Sequence, residues 1–256
     1  PSAAFMNRTA ELPVMTPRRP CGSGCPRGPR HPISVEGLTR LSRASLRAVV
    51  SVWGRGVDDY RRAATMLSAI APRIAALEVN LSCPNLEGRG GIIAHDGEVS
   101  AAVVDACRVA GLPMWAKLSP NTDRIVEVAG AVLESGAEAL TLTNTVLGMS
   151  IDVETARPVL GNGGGGVSGR AIHAVAVRAV YDVRHAFPQC SIIGVGGISS
   201  AIDAIEMMQA GADVVQVGTA TFLHPDAPMR VLNEMHEWMK RHGENSWQRV
   251  TSRAHG

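Results

Sequence analysis

Along most of this chain, short apolar runs alternate with stretches in which apolar positions recur every three or four residues. The runs cover residues 48–52, 76–80, 114–118, 139–143, 191–195 and 213–217, as in Ala76-Leu77-Glu78-Val79-Asn80 and Ser191-Ile192-Ile193-Gly194-Val195. Each is short and rich in aliphatic residues, which predicts a strand buried in a parallel sheet. Between them, residues 57–67, 97–110, 123–135, 172–185 and 201–210 carry amphipathic helical patterns. The order is βαβα, so the class is α/β. Two of the units end alike, in Glu134-Ser135-Gly136-Ala137-Glu138 and Gln209-Ala210-Gly211-Ala212-Asp213, where glycine stops the helix and a short turn feeds the next strand. Polar or glycine-rich motifs follow nearly every strand. That pattern favours the ring of loops of a (β/α)8 TIM barrel over a doubly wound sheet with a single crevice.

Residues 1–35 differ in kind. They hold seven prolines, five arginines and one acid, with neither helical nor strand periodicity, and so predict a disordered or aberrant segment ahead of a barrel domain over 36–256. The other 221 residues carry 20 basic and 22 acidic side chains, which argues against a nucleic-acid binder. No apolar run approaches the ~20 residues of a membrane-spanning helix and no secretion signal is evident, so a cytoplasmic location is expected. Five cysteines without paired spacing suit thiols in a reducing compartment. Cys21 and Cys25 have no second pair at zinc spacing, so no metal is expected.

The chemistry concentrates where the runs end. Asn80-Leu81-Ser82-Cys83-Pro84-Asn85 places a thiol and three polar side chains on one turn, and Pro84 disfavours helix at Cys83. A free cysteine is most often a small buried hydrophobe. Here the polar neighbours would be costly to bury unpaired, which favours an exposed, working thiol. Lys117 is a lone cation in the run 114–118. It either snorkels to solvent or meets a negative group at a barrel mouth, such as the N1/C2-carbonyl edge of a flavin ring. Asn144 and Thr145 offer uncharged hydrogen bonds to a planar polar ligand, or equally a turn or a helix cap. Three glycine clusters follow: Gly163 to Gly169, Gly194-Val195-Gly196-Gly197-Ile198, and Gly218-Thr219. One such cluster is usually a plain turn; three after successive late strands predict a phosphate site.

In this order and spacing, the motifs Asn80–Asn85, Lys117-Leu118-Ser119-Pro120-Asn121, Asn144–Met149, Gly165–Gly169, Gly194–Ile198 and Val217–Ala220 resemble the catalytic subunit of class 1 dihydroorotate dehydrogenase, from about Val35 to Trp238. The resemblance implies FMN-dependent oxidation of dihydroorotate to orotate in pyrimidine biosynthesis, in which FMN takes hydride from C6 and a base removes the C5 proton. Residue by residue, it implies Cys83 as the base and Asn80, Asn85, Asn144 and Thr145 as substrate ligands. It further implies Lys117, Gly166, Ser168, Gly169, Gly196, Gly197, Gly218 and Thr219 around the FMN. The runs 85–91 and 149–155 look more like the B type, which implies a homodimer and a partner subunit holding FAD and an iron–sulfur cluster.

The chain also departs from that pattern. The family's first two βα units, with their flavin-side lysine and substrate loop, have no counterpart before Val35, so the barrel is expected to be incomplete, with two strand edges exposed. Arg170, His173 and Ala174 stand where the family usually has proline and Lys-Pro, beside the phosphate loop. Alternative readings are another FMN barrel, such as the pyrimidine-reducing domain of a dihydropyrimidine dehydrogenase, and a non-catalytic remnant.

Overall fold

The computed structural model describes residues 47–82 and 93–256, together with a short strand at residues 10–12. In chain order the strands are β1 (Ala10–Leu12), β2 (Val49–Val52), β3 (Ala76–Asn80), β4 (Met114–Leu118), β5 (Ala139–Leu142), β6 (Val146–Gly148), β7 (Ile151–Asp152), β8 (Arg157–Pro158), β9 (Gly165–Val167), β10 (Ser191–Val195) and β11 (Val214–Gln216). The helices are α1 (Val57–Ser68), α2 (Gly97–Cys107), α3 (Ile125–Glu134), α4 (His173–Ala186), α5 (Ala201–Gln209), α6 (Ala220–Leu223) and α7 (Ala227–Arg241).

Seven strands form one sheet in the order β1-β2-β3-β4-β5-β10-β11, and every neighbouring pair is parallel. The spatial order never reverses relative to the chain, so there is no switch point of the doubly wound kind. Successive helices pack on one another, α1 on α2, α2 on α3, α3 on α4, α4 on α5 and α5 on α7. Helices that neighbour one another in this way line a single face of a singly wound sheet, as in part of a barrel wall.

The six expected strands are all present, with bounds within one residue of the apolar runs. The seventh, β1, lies in the segment read as lacking strand character. Ala10-Glu11-Leu12 is too short to display alternation, yet the open edge of β2 offers it a ladder through Ala10 opposite Val50 and Leu12 opposite Val52. A second difference follows β5. The glycine cluster of residues 163–169 contributes a strand not expected from the sequence, β9, which pairs antiparallel with β6, while β7 pairs with β8. Only after a 3₁₀ turn at Arg170–Ile172 does α4 begin.

Alternation along the strands separates two faces. Val50, Val52, Leu77, Val79, Ala116, Leu118, Leu140, Leu142 and Ile192 point to the helices and join one continuous core with Tyr60, Leu67, Val103, Val128 and Val180. The opposite face carries Ser51, Glu78, Asn80, Lys117 and Thr141, with Ser51 opposite Glu78, Asn80 opposite Lys117 and Lys117 opposite Thr141. Local caps fix where helices start. The Asp96 side chain accepts from the Val99 N–H ahead of α2, and Ser200 and Asp203 form a reciprocal capping box on α5. Arg184 of α4 is buried and donates to the carbonyls of Pro188, Cys190 and Gly211 and to Asp213, which ties the turns before β10 and β11 together.

Candidate active site at the strand ends

The C-terminal ends of β3, β4 and β5 are held in register beyond the strands themselves. The Leu81 N–H donates to the Lys117 carbonyl at 3.2 Å, the Asn144 N–H to the Leu118 carbonyl at 2.9 Å, and the Thr143 N–H to the Val195 carbonyl at 2.8 Å. Tyr60, buried in α1, donates its hydroxyl to the Asn80 carbonyl at 2.6 Å and so anchors the end of β3 to its helix. On this frame the Asn144 amide donates to Asn80 Oδ1 at 2.9 Å and to Ser82 Oγ at 3.0 Å. Asn144 Oδ1 accepts from the Thr145 N–H at 2.8 Å. Residues separated by more than sixty positions in the chain thereby become one polar cluster. Asn121 braces it from below, donating to the Thr145 carbonyl at 2.9 Å and accepting from the Leu147 N–H at 2.8 Å.

Beside this cluster opens a cavity of about 570 Å³. Its lining includes Lys117, Asn144 and Thr145 together with Ser168, Gly169, Gly196, Gly197, Gly218 and Thr219. The glycines have a steric logic. Gly197 has φ +70°, and a Cβ there would sit 2.7 Å from His173 Cβ and 2.9 Å from the Gly169 carbonyl oxygen. At Gly196 a Cβ would come within 2.5 Å of Ala176 Cβ. The backbone of the β10 loop thus presses against α4 with no room for side chains, leaving its amides at the cavity wall. By contrast, a Cβ on Gly218 would meet nothing within 4 Å, so there the cavity is open. Thr219 donates its hydroxyl to Ser168 Oγ at 2.9 Å and joins the loops after β9 and β11.

The two departures beside this loop act as braces. His173 Nδ1 lies 2.8 Å from the Gly196 carbonyl oxygen and its Nε2 3.2 Å from Glu206, while Arg170 donates to Ser199 Oγ at 2.9 Å. Asp203 gathers hydrogen bonds from the N–H and hydroxyl groups of both Ser199 and Ser200, between 2.9 and 3.0 Å. Burial alone would push its carboxyl up; those hydrogen bonds and the Arg170 charge outweigh it and hold the carboxyl below the usual carboxylate range.

Of the residues singled out from the sequence, Asn80, Asn144, Thr145 and Lys117 come together in one group, and Ser168, Gly169, Gly196, Gly197, Gly218 and Thr219 share the cavity lining with Lys117, Asn144 and Thr145. Gly166 stands apart. It lies in β9 opposite Leu147, and a Cβ there would come 2.3 Å from Thr145 Oγ1, so it makes room for Thr145 without lining the cavity. Cys83 and Asn85 fall outside the described residues. Sequence reasoning passed over Glu78, which is fully buried and 3.3 Å from Lys117 Nζ, and Thr141 and Thr143, whose buried hydroxyls lack a partner among the described residues. Glu78 carried a usable signal: an acid two positions before Asn80 shares its face of the strand. Among the described residues no group of three or more His, Cys, Asp or Glu side chains is arranged to hold a metal ion, and no helix is long and apolar enough to cross a membrane.

Comparison with known proteins bears on the same residues. The dihydroorotate dehydrogenase family model matches residues 34–239, which takes in every strand from β2 to β11. The catalytic subunit of dihydroorotate dehydrogenase B (NAD(+)) from Pelobacter propionicus is 44% identical over 204 residues, 79% of this chain. Its counterpart from Trichlorobacter lovleyi is 46% identical over 204 residues, also 79% of the chain. That from Desulforudis audaxviator is 43% identical over 219 residues, 85% of the chain and 71% of that protein. The chain spans 66% of the length of each of the first two. With a match over four fifths of its length that covers the polar cluster and the glycine loops alike, the chain is a member of the dihydroorotate dehydrogenase family.

Proposed function

We propose that this chain carries the catalytic half of an FMN-dependent dihydroorotate dehydrogenase of the B type, oxidising dihydroorotate to orotate in pyrimidine biosynthesis. The observation that carries this reading is the continuity of one 570 Å³ cavity from the Asn144–Thr145 cluster to the glycine cradle. A planar diamide substrate suits the amides of Asn80, Asn85 and Asn144 and the hydroxyl of Thr145, which donate and accept without adding charge. The cradle of Gly169, Gly196, Gly197, Gly218 and Thr219 with Ser168 fits a phosphate, because side-chain-free backbone is held against α4 at Gly196 and Gly197 and opens at Gly218. Lys117 fits the ring end, as a cation beside the carbonyl edge. When bound, FMN supplies the acceptor for the hydride from C6. Cys83, which follows Ser82 in the sequence, is the base that takes the C5 proton.

The two thiols among the described residues, Cys107 and Cys190, are poor candidates for that role. Burial pushes Cys107 up to about 12 and Cys190 up to about 11, so neither forms thiolate near neutral pH. Brief alkylation of the native protein followed by peptide mass spectrometry should therefore modify Cys83 well ahead of both. Equal modification of the three would remove the distinction.

In this reading a (β/α)8 barrel closes around this sheet and its domain spans residues 36–256, with the short strand at residues 10–12 of the preceding segment paired along the open edge of β2. The hairpins after β5 expose Leu147, Met149, Ile151, Val153, Val159 and Leu160, an apolar surface that suits a homodimer or a partner subunit with FAD and an iron–sulfur cluster. No such partner implies a membrane location, and a cytoplasmic enzyme is the expectation. The visible spectrum tests the core of the proposal. The chain mixed with FMN should show a perturbed flavin band that bleaches on anaerobic addition of dihydroorotate and not of dihydrouracil. A protein that leaves the FMN spectrum unchanged is a non-catalytic remnant.

A further inference from the structure

The sheet face that turns away from the helices contains one buried ion pair. Glu78 is fully buried in β3, and its Oε1 lies 3.3 Å from Nζ of Lys117, whose side chain is 17% exposed at the cavity wall. Glu78 Oε2 has no hydrogen-bond partner among the described residues, and neither does the hydroxyl of Thr141, which sits opposite Lys117 in the register. A carboxylate so placed is poorly compensated for lost hydration, and packing does not explain it, since the neighbouring positions on the helix side are aliphatic. The cation is equally selective. The chain contains 23 arginines and only two lysines, Lys117 and Lys240. Lysine presents a compact point charge at the end of a flexible stem, where the broad guanidinium of arginine would need several acceptors.

We infer that Glu78 is a positioning residue for Lys117: it fixes the ammonium at the ring end of the cavity and offsets part of its charge, setting how strongly the site favours a reduced, negatively charged ring over an oxidised, neutral one. The inference rests on the flavin reading of the cavity. It follows from geometry that leaves Glu78 itself without access to a ligand, since it is fully buried, its side chain's one hydrogen-bond partner among the described residues is Lys117, and it does not line the cavity. Glu78 therefore acts through the lysine and by its own field. Removing the carboxylate leaves the ring end more positive, which stabilises the reduced ring.

Glu78→Gln tests this with two independent readouts. The first needs no flavin. With two lysines in the chain, acylation by an amine reagent gives a clean ratio of Lys117 to Lys240, the latter 72% exposed and serving as internal reference. Glu78→Gln should raise that ratio several-fold by releasing the ammonium, and Glu78→Asp should fall between the two. A ratio unchanged in folded Glu78→Gln overturns the pairing, whether or not FMN binds. The second readout is the reduction potential of bound FMN, measured by dye equilibration. It should move to more positive values in Glu78→Gln, equivalent to roughly tenfold tighter binding of reduced relative to oxidised flavin, as for a charge removed near the ring at an effective dielectric constant of about 20. An unshifted potential with FMN still bound overturns the tuning role. Failure of every variant, and of the parent, to bind FMN would instead count against the flavin reading and leave the acylation ratio to decide the pairing. Should Glu78→Gln not fold, Glu78→Asp carries both measurements, with smaller shifts of the same sign expected.

Discussion

The same parallel strands present two faces of opposite character, and the contrast separates what builds this fold from what the fold is for. Toward the helices, Leu77, Leu140, Leu142 and Ile192 are fully buried among aliphatic neighbours, so every contact there adds stability. On the other face, Ser51, Glu78, Thr141 and Thr143 are also buried, but three of these four have polar atoms without a described partner. Buried polar groups left unpaired cost stability. A protein that retains them on one face only is using that face for something other than holding itself together. The difference also runs along the chain: β3, β4 and β5 supply the polar cluster, whereas β10 and β11 end in loops whose backbone does the work.

Breaking the helix-side face should have the largest effect. Leu140→Ala removes a fully buried side chain from the centre of the sheet and should destabilise the protein by about 2–5 kcal/mol, read by chemical denaturation. A loss below about 1 kcal/mol would mean that the core relaxes around β5 far more than its close packing suggests. The next largest effect belongs to the glycine loop. Gly197→Ala forces a Cβ onto a φ of +70° and against the Gly169 carbonyl, and should cost roughly 1–3 kcal/mol. Flavin affinity should fall by a larger factor than global stability, because the loop must shift where the phosphate is proposed to sit. Equal affinity in the variant would show that the β10 loop does not shape the site.

How much of this was legible beforehand followed the same division. The helix-side face announces itself in sequence, because an apolar run such as 191–195 or 114–118 leaves few alternatives to a buried strand. The glycine loops were legible as a set, since three clusters after successive strands are hard to explain as turns. The 146–167 excursion was not, because its apolar residues are exposed and its glycines impose no period. Lys117 was visible as an anomaly within one strand, but its partner was hidden by the same logic. Glu78 lies on a different strand, and although a barrel sets β3 beside β4, a linear sequence does not state the register that puts Asn80 opposite Lys117. Gly166 stands outside the cavity lining, and membership of a glycine cluster does not distinguish a residue that lines a cavity from one that makes room for a neighbour.

The smallest effect expected is also the one that best isolates the β10 loop from the rest of the sheet. Asp203 accepts four hydrogen bonds from Ser199 and Ser200 and lies 3.6 Å from Arg170, so its carboxyl is held below the usual range in the folded state. A carboxyl whose folded value is depressed contributes stability that is fully present above its unfolded value, near ~3.9, and is lost as the pH falls through the lower folded value. Asp203→Asn cannot titrate, so its stability should fall less steeply than that of the parent below about pH 4. Denaturation curves collected at intervals from neutral pH down to about pH 2 would show this as two profiles converging toward the acid end. Profiles that stay parallel throughout would mean that Ser199 and Ser200 hold the protonated and ionised carboxyl equally well, and that the loop is fixed by its glycines and His173 alone.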